Sequence, residues 1–230
     1  MRRAMRDVVR GPVGTLISGG ADSATLAAWA AREGYHQRGL FISARERNSA
    51  QELRCARAIT DGLGIGLEVV DLGAVFRPTA DPYPFDVELH TLREQPELVN
   101  LAAMTSFNTS LLITAVRVVL AGGRSLLVGL HGDDLATKPA LADSMIALQE
   151  VVRCTVGTVT PDEPFSFELP FRDWSAMDVI RAGLELGVDF AATWSCRTEG
   201  PSPCLTCRDC TARAAAFAAA GAPDPALPRR

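Results

Sequence analysis

Apolar and polar positions along the chain alternate between two periods. Val13–Ile17 is a short, mostly apolar run that predicts a buried strand. Ser23–Gly34 predicts a helix, with Ala27, Ala28 and Ala31 small enough for close packing. Gln37–Ser43 and Leu67–Leu72 predict two more strands. Between them, Leu53, Ala56, Ile59 and Leu63 recur at helical spacing over Ala50–Leu63. This β-α-β-α-β order predicts an α/β fold, a doubly wound parallel sheet with helices on both faces. Gly73–Asn100 breaks the pattern with four prolines and two acid-rich stretches. Its length predicts a lid or a substrate-binding excursion. Helices follow over Met104–Leu120, Leu141–Arg153, Ser175–Leu186 and Thr211–Ala220. Strands are expected at Arg124–Leu130 and Phe167–Pro170. Residues 1–190 thus form the expected α/β domain, 191–220 a cysteine-bearing segment with a C-terminal helix, and 221–230 a flexible tail with three prolines.

Composition narrows the partners. The 230 residues carry a formal net charge of -4, with a pI near 5.4. That balance argues against a general nucleic-acid binder, which needs a basic surface to neutralise phosphates. No apolar run approaches the ~20 residues of a membrane span. Met1–Asp7 is not followed by a secretory apolar stretch, so a cytoplasmic location is expected. All 23 basic residues except Lys138 are arginine. Chemistry that requires a lysine therefore has one candidate.

The run Ser18-Gly19-Gly20-Ala21-Asp22-Ser23 links the first expected strand to the first expected helix. Glycines let a backbone approach an anion, and the unpaired N–H groups of a helix start point at it. Ser18 and Ser23 add hydroxyl donors, and Ser23 is a candidate N-cap. Asp22 does not suit a bare phosphate, so it suggests a bound Mg²⁺ or a structural hydrogen bond. The string lacks the Gly-Lys-Ser/Thr end of a Walker loop. Arg45 and Arg47, just past the second strand, are candidates to hold a phosphate or carboxylate in bidentate fashion. Asp134 and His131 follow a strand end, where doubly wound sheets bind ligands.

Cys196, Cys204, Cys207 and Cys210 place four thiols within fifteen residues. In a reducing compartment this spacing points to a metal rather than to disulfides. A tetrahedral zinc site fits, and an iron–sulfur cluster is the alternative. Such a closed site is structural, pinning the C-terminal helix to the domain. Cys55 and Cys154 lie on apolar helix faces and are expected in the core.

The Ser18–Ser23 loop resembles that of the PP-loop ATP pyrophosphatases, whose fold is that of the adenine-nucleotide alpha-hydrolases. Joined to Thr193-Trp194-Ser195-Cys196, Cys204, Cys207 and Cys210, it resembles the 7-cyano-7-deazaguanine synthases of the queuosine pathway. The resemblance implies ATP bound at Ser18, Gly19, Gly20, Asp22 and Ser23, and zinc at the four cysteines. It implies an AMP-forming ligase that activates a carboxylate, 7-carboxy-7-deazaguanine or a related acid, for attack by a nitrogen nucleophile. Relatives are often dimers, so a homodimer is an expectation. The family's helix after the last strand begins with a lysine, and Asp173–Asp178 has none. Lys138 is the expected substitute, which makes Asp22, Ser23, Asp134 and Lys138 the expected catalytic set. The alternative is a nucleotide- or base-binding module without turnover, acting through a protein partner.

Overall fold

Five short parallel strands in the order β3-β2-β1-β4-β5 organise the chain. A computed structural model describes residues 12–43, 48–73, 96–157 and 164–226. The strands are β1 (Val13–Leu16), β2 (Gln37–Ser43), β3 (Leu67–Asp71), β4 (Ser125–Leu127) and β5 (Ser166–Glu168). The helices are α1 (Ala21–Arg32), α2 (Ser49–Leu63), α3 (Pro96–Leu120), α4 (Gly132–Thr137), α5 (Pro139–Gly157), α6 (Ala176–Glu185) and α7 (Arg208–Ala220). A 3₁₀ turn, Phe190–Ala192, precedes the cysteine segment.

Side-chain alternation along the strands divides the core between two faces. Leu40 and Leu126 pack on one side with Leu111, Val118, Met145 and Phe165, beneath α3 and α5. Their neighbours Phe41 and Leu127 point the other way, into apolar groups with Ala27, Ala56 and Ile59 and with Leu26 and Val179. The second face is therefore roofed by α1, α2 and α6, and α7 joins it through Phe217, Phe190 and Ile180. Winding reverses between β1 and β4, the neighbours that share Gly14↔Leu126 and Thr15↔Leu127. The loops leaving these two strands diverge there and open a crevice at the strand ends.

The expected doubly wound sheet is present, with several local differences. Helix α3 starts at Pro96 instead of Met104, since a proline lacks only an amide that a first helical turn leaves unpaired. The excursion expected over Gly73–Asn100 thus ends in helix, and its residues 74–95 lie outside the described residues. Strand β4 is three residues long, and the short α4 after it has too few turns to show a period. Cys154 is exposed, against its expected place in the core, because it lies about 200° around α5 from the buried Val152. Cys55 is half-buried and packs against the cysteine cluster.

Candidate active site

The loop between β1 and α1 turns sharply at Gly19, whose φ of +82° lies in the left-handed region. A β-carbon there would stand 2.3 Å from the Glu52 carbonyl oxygen, so loop and α2 meet backbone to backbone. Gly20 is the N-cap of α1, and no side chain caps the helix. This corrects the expectation for Ser23, which lies inside the first turn. Its hydroxyl donates to the Gly20 carbonyl at 3.0 Å and accepts the Ser18 N–H at 3.2 Å. Ser18 is exposed, and its hydroxyl accepts the Gly20 N–H at 3.3 Å. Ala24 makes the first bond back, to Gly20 at 3.1 Å, so the amides before it face the crevice without intrahelical partners.

Acidic groups gather around this loop. Burial pushes the Asp22 carboxyl up to about 6; His131 and Arg213 oppose the rise, and Asp134 adds to it. His131 is buried at the start of α4, with Nε2 3.3 Å from the Asp134 carboxylate. Asp134 therefore reaches both the histidine and the field of Asp22. Asp133 accepts the Ala176 N–H at 2.8 Å. Asp178 accepts the Ser175 N–H at 2.9 Å, and the Ser175 hydroxyl accepts the Asp178 N–H at 3.2 Å. Carboxylates thus occupy the start of α6, the stretch in which a lysine is absent.

A cleft of about 570 Å³ joins these groups, with Ser18, Asp22, Glu52, His131 and Asp134 among its walls. Lys138 is not brought to it. The lysine is the exposed C-cap of α4 and is not among the walls of the cleft, whereas Thr137 beside it is. Arg45 and Arg47 lie outside the described residues.

The four cysteines of the C-terminal segment converge, their sulfurs all within 4.8 Å of one another. A tetrahedral zinc–thiolate site sets sulfurs about 3.8 Å apart, so a small contraction suffices. Backbone amides already point at the sulfurs. Cys204 N–H donates to Cys196 Sγ at 3.3 Å, Cys207 N–H to Cys204 Sγ at 3.4 Å, and Cys210 N–H to Cys207 Sγ at 3.5 Å. The last of these makes Cys207 the N-cap of α7, which starts the helix at Arg208 rather than Thr211. The amides of Thr206 and Cys207 pull the Cys204 thiol down to about 5. Burial, with the neighbouring Cys207 and Cys196 thiols, pushes Cys210 up to about 12. Four crowded sulfurs cannot all ionise unless a cation shares their charge, so the donor set suits a thiophilic metal.

The metal-ligating segment is tied directly to the loop. Trp194 N–H donates to the Gly19 carbonyl at 2.8 Å, and its indole N–H donates to the Cys196 carbonyl at 2.7 Å. Asn48 Nδ2 donates to the same Cys196 carbonyl at 3.2 Å and to Glu52 at 2.7 Å. Below them, Arg213 is buried. It donates to Asp224 through Nε at 2.9 Å and Nη2 at 3.0 Å, to Thr193 Oγ1 at 2.7 Å and to the Phe190 carbonyl at 2.9 Å. The expected tail 221–230 therefore contains a buried anchor, Asp224. Sequence reasoning misses Glu52, Arg208 and Arg213 as walls of the cleft. A lone arginine inside the alanine-rich run Thr211–Ala220 is the one signal that could have found Arg213.

The chain matches the profile of the family described as "Queuosine biosynthesis protein QueC" over residues 13–221. It is 34% identical over 223 residues to a "7-cyano-7-deazaguanine synthase" of Halobacterium salinarum, covering 91% of this chain and 92% of that protein. It is 34% identical over 220 residues to a protein of the same name from Frankia casuarinae, covering 92% and 91%. Among solved structures, an NMN synthetase from Francisella tularensis superposes with a TM-score of 0.46 at 14% identity, covering 86% of this chain and 68% of that one.

Proposed function

The chain belongs to the QueC family of queuosine biosynthesis proteins, and from that premise we propose that it is an ATP-dependent, AMP-forming C–N ligase acting on a 7-deazaguanine carboxylate. The observation that carries this reading is the Ser18–Ser23 loop. It lies at the end of β1, opens α1 with unpaired amides, and forms one wall of a cleft shared with the cysteine segment. The amides of the α1 start would hold ATP phosphates, aided by the exposed Ser18 hydroxyl. Ser23 braces the loop from inside, since its hydroxyl is engaged with Gly20 and Ser18.

An oxygen of the substrate carboxylate attacks the α-phosphorus of ATP. The bond to the bridging oxygen breaks, and pyrophosphate leaves with the electron pair. A nitrogen nucleophile, ammonia in this family, adds to the activated carbon; AMP departs and a proton is lost, leaving an amide. A second activation at the amide oxygen, with loss of AMP and of both nitrogen protons, gives the nitrile. The chain contributes orientation and electrostatics. Asp22 and Asp134 are the residues that would hold Mg²⁺, which supplies charge neutralisation at the phosphates when bound. The raised Asp22 carboxyl fits this assignment, because a carboxylate stripped of water by burial is stabilised in its ionised form by a nearby cation. The four cysteines would hold zinc in a closed site with no open position, so its part is structural.

The test is to incubate the full chain with ATP, Mg²⁺, ammonium and 7-carboxy-7-deazaguanine, following pyrophosphate and AMP and weighing the product. Nitrile formation, with two AMP per nitrile, is the expected outcome. ATP that binds without pyrophosphate release would favour the second reading, a nucleotide-binding module without turnover. The position of Lys138 outside the cleft is the observation on that side.

A further inference from the structure

The cleft has an unusual charge balance for a nucleotide site. Asp22, Glu52, Asp133, Asp134 and Asp209 line it, and its described walls hold two arginines, Arg208 and Arg213. A triphosphate entering such a site needs fixed positive charge beyond what one divalent ion brings. Arg213 is not free to supply it. Its guanidinium is buried and divided among Asp224, Thr193 and the Phe190 carbonyl. Lys138 lies outside the cleft, and the start of α6 carries Ala176, with its amide taken by Asp133.

Arg208 remains. It is exposed, and its guanidinium makes no ion pair or hydrogen bond among the described residues, whereas its neighbour Asp209 is paired with Arg197. It shares one face of α7 with Ala212, Ala215, Ala216 and Ala219, all walls of the same cleft. These alanines leave room for a ligand beside the long side chain. Its position is set by the cysteine centre, since Cys207 caps α7 immediately before it and Cys210 follows in the same turn. That centre is fastened to the phosphate loop through Trp194 and Gly19. A cation in the first turn works against the helix dipole, so helix stability does not account for an arginine here.

We propose that the Arg208 guanidinium binds the terminal phosphates of the nucleotide and holds them as the pyrophosphate leaving group, a role that rests on the ligase reading above. No proton is transferred by Arg208. Its fixed fork meets two phosphate oxygens as the bond to the α-phosphorus breaks and charge gathers on the departing group. The cysteine centre thereby gains a function beyond stapling, because it fixes the start of α7 and so keeps the one unpaired guanidinium of the described cleft wall in the cleft that the loop also lines.

Calorimetric titration of Mg²⁺–pyrophosphate into the full, zinc-loaded chain tests this, comparing wild type with Arg208→Gln and Arg208→Lys. Loss of one charge-assisted contact predicts affinity about ten- to a hundredfold weaker for Arg208→Gln. Arg208→Lys should recover part of it, since the charge returns without the fork. In turnover, kcat and the KM for ATP should change while the KM for the acid does not. Zinc content and melting temperature should stay at wild-type values. Unchanged pyrophosphate affinity in Arg208→Gln overturns the assignment, as does a wild-type chain that does not bind the probe. Loss of zinc together with affinity also overturns it, by making Arg208 a counter-charge for the thiolates. The two readings fail separately. Wild type that binds pyrophosphate through Arg208 yet turns over no acid removes the ligase function alone. Normal nitrile synthesis by Arg208→Gln removes this assignment alone.

Discussion

The backbone N–H of Trp194 donates to the carbonyl of Gly19 at 2.8 Å, joining the cysteine segment to the glycine loop across 175 positions of sequence. Through it, order in the C-terminal segment becomes order in the loop. Removing the metal, by chelation or by Cys204→Ser, should therefore weaken ATP binding as well as stability. A structural zinc site contributes folding free energy directly. A loss of several kcal/mol would lower Tm on the order of 10 °C in a chain of this size. Metal analysis, thermal melting and ATP titration on the same preparation check the coupling. ATP affinity that survives complete metal removal would disconnect the two sites.

Gly19→Ala strikes the other end of that bond. A left-handed φ costs an alanine about 1–2 kcal/mol. The added β-carbon would also meet the Glu52 carbonyl at 2.3 Å, a backbone atom that no rotamer change can move. Either the loop or α2 must shift, and the amides of the α1 start shift with it. Gly19→Ala should thus lower stability and lose most ATP binding. A chain that tolerates it with normal KM for ATP would show that the loop does not hold the phosphates.

Asp22→Asn should separate stability from activity. The Asp22 carboxyl titrates near 6 in the fold against an ordinary value of 3.8, with burial as the main cause. For an acid raised in this way, folding disfavours the ionised form. The penalty is absent below the unfolded value and complete once pH exceeds about 6. It corresponds to at most about 3 kcal/mol. Without nucleotide and Mg²⁺, Asp22→Asn should melt higher than wild type at pH 8 and show no advantage at pH 3.5. With substrates, its turnover should be lost. A pH-independent difference in Tm would mean that Asp22 is not desolvated.

What the sequence makes legible is local. Ser-Gly-Gly-x-Asp-Ser and the four cysteines are short strings, and the structure sets the first at the start of α1 and draws the second together. Strand β2 ends at the expected residues because a continuous apolar centre bounds it. Long-range pairings are not legible. Nothing near Ala176 announces that Asp133, 43 residues earlier, takes its amide. Helix α4 is too short for a period, so neither the approach of Asp134 to His131 nor the place of Lys138 outside the cleft lining could be read in advance. The prolines of residues 221–230 predict a tail, whereas Asp224 among them is buried.

Arg213 and Asp224 form a bidentate pair with side chains 7% and 2% exposed. A buried ion pair contributes little net stability, because both ions lose their water, but breaking it strands a charge. Asp224→Ala should destabilise the chain by about 3–5 kcal/mol. Two consequences distinguish this from the loss of an ordinary surface contact. The Arg213 charge would then be felt more strongly at Asp22, whose carboxyl it already lowers, so the Asp22 titration should move down. Thr193, held by Arg213 at 2.7 Å, should also loosen, and with it the Trp194 bond to the loop. Asp224→Ala should therefore raise the KM for ATP although Asp224 lies outside the nucleotide cleft. Thermal melting and ATP titration of Asp224→Ala beside Asp224→Asn provide the check. If both variants melt as wild type does, Asp224 does not anchor this face.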